Sequence, residues 1–281
     1  MPGAAYGPVE ASAYADGAPH LKHANLRDLY ARLVAETMAD ARAAGAAPVD
    51  VLDLGAGQGD ASIPFLALGA RVTAVDDSSA QLARLREAGH AHLTIVEDDA
   101  SRFVESGGST YDVVVFSSFL HHVPDYVGLV RSAISMLRPA GQVLTFQDPL
   151  EYRSLPVVTS AYSKLAYFAW RIQKEDVIGG LRRRARRSVG IWYDDCPQDV
   201  IEYHATRGGV DHRAVCKSLE ESGFNVTLTR YFSTQSRTFH RLGTRLHLEN
   251  TFALRARRIG PPRCGERELR NPRREISGGG A

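Results

Sequence analysis

Val51-Leu-Asp-Leu-Gly-Ala-Gly-Gln-Gly-Asp60 is a buried-strand pattern that runs directly into three glycines spaced two apart. Val49, Val51, Leu52 and Leu54 are strand formers, and the run Ala61 to Leu68 that follows has helical character. Gly55, Gly57 and Gly59 are therefore placed on a strand-to-helix turn. Without Cβ atoms such a turn takes positive φ and lets a bulky ligand lie against its N–H groups. The order Gly-x-Gly-x-Gly-Asp departs from the G-x-G-x-x-G of a dinucleotide fingerprint, and no Gly-Lys-Ser/Thr follows to make a phosphate loop. Asp53 and Asp60 would repel a pyrophosphate and suit a cationic amine, which favours an amino-acid moiety over NAD. Taken alone, the loop also admits a plain tight turn that packs helix on sheet.

Outward from the loop, Arg71-Val-Thr-Ala-Val-Asp76 reads as a second buried strand, ending in an acid about twenty residues past the glycines, where a ribose diol is bound in nucleotide folds. Asp76 is the expected ribose partner. Asp77 is its neighbour, expected to be exposed; it reads as structural but is kept in the cofactor-binding set. Ser78 and Ser79 read as N-caps of a helix over Ala80 to Ala88. A third strand, Leu93 to Val96, ends in Glu97-Asp98-Asp99-Ala100, where an adenine amino group can be read. Tyr111 to Phe116 is the fourth apolar run, followed by Ser117-Ser-Phe-Leu-His-His-Val-Pro-Asp125; Gln142 to Phe146 is the fifth, after Leu137-Arg-Pro-Ala-Gly141.

This series resembles the class I S-adenosylmethionine-dependent methyltransferases over about residues 49 to 150. The resemblance implies a Rossmann-like, doubly wound α/β fold: a seven-stranded, mostly parallel sheet with a reversed final strand and a helical lid inserted after strand five. It implies S-adenosyl-L-methionine as cofactor, with Asp53, Gly55, Gly57 and Gly59 holding the methionine part and Asp76 the ribose. Asp99 and Ala100 match the adenine-contacting pair. Ser117 to His122, with Ser117 and His121 in the cofactor set, resembles the segment beneath the sulfonium, and Leu137-Arg138-Pro139 the turn that ends a helix. Ala140 and Asp98 depart from glycines usual in the family.

Composition agrees with an ordinary globular chain: 281 residues, 44% hydrophobic, 23% charged, formal net charge +2. That balance gives no argument for a nucleic-acid partner. No apolar run approaches the roughly 18 residues of a membrane span, and no basic segment leads into an apolar block at the start, so a cytoplasmic protein is expected. The three cysteines, Cys196, Cys216 and Cys264, form neither a disulfide framework nor a zinc pattern.

Residues 1–20 read as a mobile segment, 21–258 as the methyltransferase domain and 259–281 as a disordered tail. Leu21 to Arg42 has helical spacing, with Tyr14, Lys22 and His23 near its start. Residues 151–209 exceed the short connection a doubly wound domain needs and read as a lid or substrate insertion. There Tyr162, Tyr167, Phe168 and Trp170 are expected mostly to pack, and Leu181-Arg-Arg-Arg-Ala-Arg-Arg187 reads as a solvated face or a phosphate grip. Ile191 to Asp195 and Val200 to His204 gather acids, aromatics and a histidine. A helix over Arg213 to Ser222 and strands over Phe224 to Phe232 and Asn250 to Arg255 complete the domain, the last two as a hairpin.

The implied chemistry is attack of an O, N or C atom of a small-molecule acceptor on the sulfonium methyl, with alignment supplying much of the catalysis. For a hydroxyl acceptor, His122, Asp148 and His204 are the candidate bases by position. No metal is expected, although Asp148, Glu151, Asp194 and Asp195 offer oxygen ligands. A homodimer is left open. The competing readings are a cofactor-binding scaffold for cyclisation or rearrangement, and an RNA methyltransferase gripping through Arg182 to Arg187.

Overall fold

A computed structural model describes residues 18–173 and 208–259. Seven strands form one sheet in the order β3-β2-β1-β4-β5-β7-β6. They are β1 Asp50–Leu54, β2 Arg71–Asp76, β3 Leu93–Glu97, β4 Tyr111–Ser117, β5 Leu137–Pro149, β6 Phe224–Tyr231 and β7 Thr251–Arg258. β1 to β5 pair in parallel, and β7 runs antiparallel to both β5 and β6. The reversed final strand is as expected. Chain order reverses beside β1, so the carboxyl edge there is the crevice where open α/β sheets take ligands.

Alternation along the strands supplies both cores. Val113 and Val115 pack on one face and Val114 and Phe116 on the other, as a strand buried on both faces requires. The first face is covered by α2 (Ala24–Ala43) through Tyr30, Leu33, Val34 and Met38, and by α3 (Ser62–Ala67) through Phe65. Beside them, α4 (Ser79–Glu87) sets Leu82 and Leu85 on Ala74. The opposite face holds α5 (Ala100–Ser106), α6 (Tyr126–Ala133) and α8 (His212–Glu221). A four-residue helix, α1 (Pro19–Lys22), precedes α2.

Several expectations need correction. The first helix is broken at His23, which has extended backbone (φ −102°, ψ 121°), because its ring Nε2 is engaged by the Thr234 carbonyl at 2.7 Å and stacks on His240 at 3.7 Å. Leu137 to Gly141 is not a helix-ending turn but the start of β5, with a register shift opposite Tyr111 and Val113 that absorbs Pro139. β6 and β7 are not a simple hairpin: α9 (Arg237–Arg245) lies between them, burying His240 and laying Gly243 against Phe232. Ser78, rather than Ser79, caps α4 by accepting from the Gln81 N–H.

Of the expected insertion, Tyr152–Ser154 forms a 3₁₀ turn and α7 spans Val157–Gln173; residues 174–207 lie outside the described set. Tyr162 does pack, on Phe232 and Phe239, and Tyr167 meets Trp170. Phe168 does not: it is 46% exposed, and Val157, Val158, Leu165 and Ile172 share that exposure. Among the described residues no helix is long and apolar enough to cross a membrane. Residues 1–17 and 260–281 are also outside the described set, as are His204, the arginine run, Ile191 to Asp195, Cys196, Cys264 and Tyr14.

Candidate active site

The glycine loop leaves β1 at the crevice. Gly55, Gly57 and Gly59 all have positive φ, at 75°, 53° and 90°. Two of them are needed by the fold itself: a Cβ on Gly55 would stand 2.0 Å from the Phe119 ring, and one on Gly59 2.3 Å from Leu85. Gly57 alone of the three faces open space. Its N–H donates to Asp76 Oδ2 at 2.8 Å, and the Ser78 N–H donates to Asp76 Oδ1 at 2.9 Å. Asp76 thus ties the loop to the end of β2, while each oxygen keeps a second lone pair for a hydroxyl donor. Burial pushes its carboxyl up, and the two N–H donors pull against that.

Asp53 is 1% exposed. Ser62 Oγ donates to its Oδ2 at 2.6 Å, and Oδ1 is buried with no hydrogen-bond partner. Desolvation pushes its carboxyl up to about 7, with Asp76 and Asp60 adding repulsion against the Ser62 bond. Asp77 is half-buried rather than exposed, and its carboxyl is raised by burial, then by Asp76 and Asp99. Asp99 caps α5, its Oδ1 accepting from the Ser101 and Arg102 N–H groups at 3.0 Å each, with Ala100 buried behind it. Acids thus line the ends of β1, β2 and β3.

Across the crevice, Ser117 ends β4 and pairs with Phe146. Ser118 has φ 53°, and its N–H donates to the Phe146 carbonyl. The 3₁₀ turn Leu120–His122 follows. There His121 offers its backbone N–H to Asp148 Oδ1 at 3.1 Å, and its ring Nδ1 lies 2.8 Å from the same oxygen. Asp148 Oδ1 already accepts from the backbone N–H, so the tautomer that suits the pair has Nδ1 donating to the same oxygen and Nε2 as the lone-pair nitrogen. The His122 ring lies against His121 at 4.1 Å. Asp148, a candidate base by position, is in contact with the His121 ring.

A single extra residue brings Asp148 to that side. Phe146 opposes Ala253 and Asp148 opposes Phe252, with Gln147 bulged between them at φ 66°. In an unbroken strand, residues two apart share a face, so Asp148 would join Phe146 on the α2 side. The bulge shifts it to the opposite face. Tyr231 holds the bulge: its hydroxyl accepts from the Gln147 N–H at 3.0 Å and donates to Gln147 Oε1 at 3.2 Å, while Gln147 Nε2 donates to Ser233 at 2.7 Å. Sequence reasoning passed over Gln147 and Tyr231, and over buried His20 at the Asp60 end of the loop.

The family model described as a methyltransferase domain matches residues 21–229. The chain belongs to that family, the class I S-adenosylmethionine-dependent methyltransferases. The chain is similar over 97 residues, at 37% identity, to the ubiquinone biosynthesis O-methyltransferase of Aliivibrio fischeri, a match covering 33% of this chain and only 41% of that one. A solved S-adenosylmethionine-dependent methyltransferase from Mesorhizobium loti superposes with TM-score 0.51 at 18% identity, covering 86% of this chain and 99% of that one. The plantazolicin methyltransferase BpumL, solved with SAH, gives TM-score 0.51 at 14% identity, over 89% and 90%. At such identities the two structures establish the fold.

S-adenosylmethionine is the cofactor of this family, and the residues of this chain fit it. The orphaned Asp53 Oδ1 is a buried acceptor that lacks a cation, as an α-ammonium would supply. Gly57 leaves open space over the loop backbone. Among the described residues no group of three His, Cys, Asp or Glu is placed to hold a metal ion.

Proposed function

We propose that this enzyme methylates a hydroxyl of a small molecule, in the cytoplasm and within specialised metabolism, with His121 as general base and Asp148 as its orienting carboxylate. The His121–Asp148 pair carries this reading, because it faces the same crevice edge as the glycine loop and leaves Nε2 basic. When bound, S-adenosylmethionine supplies a methyl group made electrophilic by the sulfonium. An N or C nucleophile can manage without a dedicated base, whereas a hydroxyl gains from one within hydrogen-bond reach. As the hydroxyl oxygen attacks, its proton passes to His121 Nε2, and Asp148 stabilises the imidazolium that forms. The O-methyltransferase name of relatives that match 97 residues of this chain supports oxygen over nitrogen or carbon.

On the cofactor side, Asp53 takes the ammonium, the backbone at Gly57 lies along the amino-acid chain, and Asp76 accepts from the ribose. Gly55 and Gly59, with Asp77, Asp99, Ala100 and Ser117, shape the rest of the cradle. His122 lines its floor beside His121. Incubation with methyl-labelled S-adenosylmethionine and a metabolite extract, followed by mass spectrometry, tests the reading. Label is expected on a small-molecule oxygen, and label in RNA would overturn it. Calorimetric titration of wild type and Asp76→Ala checks the cofactor independently.

A further inference from the structure

S-adenosylmethionine carries an α-carboxylate as well as an ammonium, and the crevice as described so far is unsuited to the former. Asp53, Asp60 and Asp76 gather around the loop, and among the described residues none of them is ion-paired to an arginine or lysine. An anion entering there needs a donor that offsets these acids. His20 is the group placed to do so. It sits on α1, is 7% exposed, and packs edge-on against Phe146 at 6.2 Å, with Nε2 3.9 Å from Asp60 Oδ2. Its Nδ1 is buried and has no hydrogen-bond partner. A ring held by packing on one edge and by a carboxylate on the other, with a nitrogen left unsatisfied, is costly unless a ligand completes it.

Phe146 fixes where that ring stands. It pairs with Ser117 across β4 and β5, and Tyr30 covers it at 4.6 Å while donating to the Ala61 carbonyl just past the loop. His20 is thus set where the carboxyl ends of β1, β4 and β5 converge. The glycine loop brings the amino-acid part of the cofactor to the same place. We propose that His20 binds the α-carboxylate of S-adenosylmethionine through a ring N–H, with Asp60 Oδ2 standing 3.9 Å from Nε2. Asp53 and His20 then divide the two ends of one zwitterion, the acid taking the ammonium and the base the carboxylate. This rests on the cofactor reading above and adds the residue that reads the carboxylate.

The test compares S-adenosylmethionine with decarboxylated S-adenosylmethionine by calorimetry on wild type and His20→Phe, a change that preserves the packing on Phe146. Loss of a charge-assisted bond is expected to weaken S-adenosylmethionine about tenfold in the variant. The decarboxylated ligand, which lacks the group that His20 would bind, should bind unchanged. His20→Gln, which keeps a donor, should recover part of the discrimination. It also stands in for His20→Phe if that variant has a lowered apo Tm. Equal losses for both ligands, or no loss for either, would overturn the proposal and leave His20 a packing residue. A wild type that binds neither ligand would instead remove the cofactor reading, and the proposal with it.

Discussion

Asp53 and Asp148 are two buried carboxylates near the carboxyl ends of parallel strands, and each has one oxygen bonded and one orphaned. Their partners separate them. Desolvation lifts the Asp53 carboxyl to about 7, with Asp76 and Asp60 adding repulsion, and its one bonded partner is a neutral serine hydroxyl that pulls the other way. Asp148 holds an imidazole, a group that can become cationic. On the proposed reading, the cofactor side lacks a cation that the ligand brings, whereas the acceptor side carries within the protein the group that would become one. One site would then serve binding and the other proton movement, from the same residue type in the same topological position.

The largest effect that would break this contrast is expected at the dyad. His121→Ala or Asp148→Asn should lower kcat by ~10²–10⁴, the range for a general base and its orienting acid. The Kd for S-adenosylmethionine should stay within about twofold if His121 serves the acceptor, as proposed, rather than the cofactor, where the family resemblance places it. Equal losses in kcat and in cofactor affinity would mean that the two sides are not separable. Next in size is Gly55→Ala. Its Cβ would collide with Phe119, on the segment that leads into His121, in a backbone with φ 75°. A stability loss of about 3 kcal/mol is expected in chemical denaturation, against about 1 kcal/mol for Gly57→Ala, which meets only the left-handed backbone cost.

How far the sequence exposed each side follows from the distances involved. The loop and Asp76 lie within one βαβ unit, and their local pattern is enough to place strands, turn and acids. Asp53 and Asp60 could be assigned to a cationic ligand from charge alone. The dyad joins residues 27 apart through a parity change that only the bulge at Gln147 produces, and neither Gln147 nor Tyr231 carries a turn signature. Asp148 was thus legible as a residue at the right edge, but its pairing with His121 was not. His20 was hidden for a different reason: α1 is four residues long and emerges from an Ala-, Gly- and Pro-rich run with no periodicity to read. β5 began early for a similar reason, since Pro139 and Gly141 imitate a turn where an irregular strand pairing accommodates them.

A smaller effect sharpens the cofactor half of the comparison. Asp53→Asn keeps an acceptor for Ser62 while removing the charge that burial disfavours. Cofactor affinity should fall ~10- to 100-fold, as for loss of a buried charged partner. The apo protein should nevertheless gain ~1–3 kcal/mol at pH 8, because the native carboxyl no longer has to ionise in an acidic, desolvated place. Thermal denaturation with and without S-adenosylmethionine reads both. A variant that loses affinity and stability together would mean that Asp53 serves packing rather than a ligand.

The smallest effect concerns how acid acts on the two sides of the fold. His240, stacked on His23, is pushed down to about 4 by burial, with His23 adding repulsion. His23 is also lowered, by burial first and then by Arg237, Lys22 and Arg27, against the Thr234 carbonyl. A histidine whose folded pKa lies below its free value of 6.5 contributes stability that is complete above 6.5 and is lost as pH falls through about 4. Asp53 runs the other way: its folded value of about 7 against 3.8 gives stability present below 3.8 and lost as pH rises through about 7. Between pH 4 and 7 the two slopes oppose each other, each on the order of 1–2 kcal/mol in total. Wild-type apo stability should therefore be nearly flat across that window. Asp53→Asn should unmask the histidines, giving a protein that loses about 1–2 kcal/mol between pH 7 and pH 4 in urea titrations. A flat profile in both proteins would show that neither the stacked pair nor Asp53 titrates with folding, whereas a wild type that loses stability as pH rises, beside a flat variant, would assign the pH dependence to Asp53 alone.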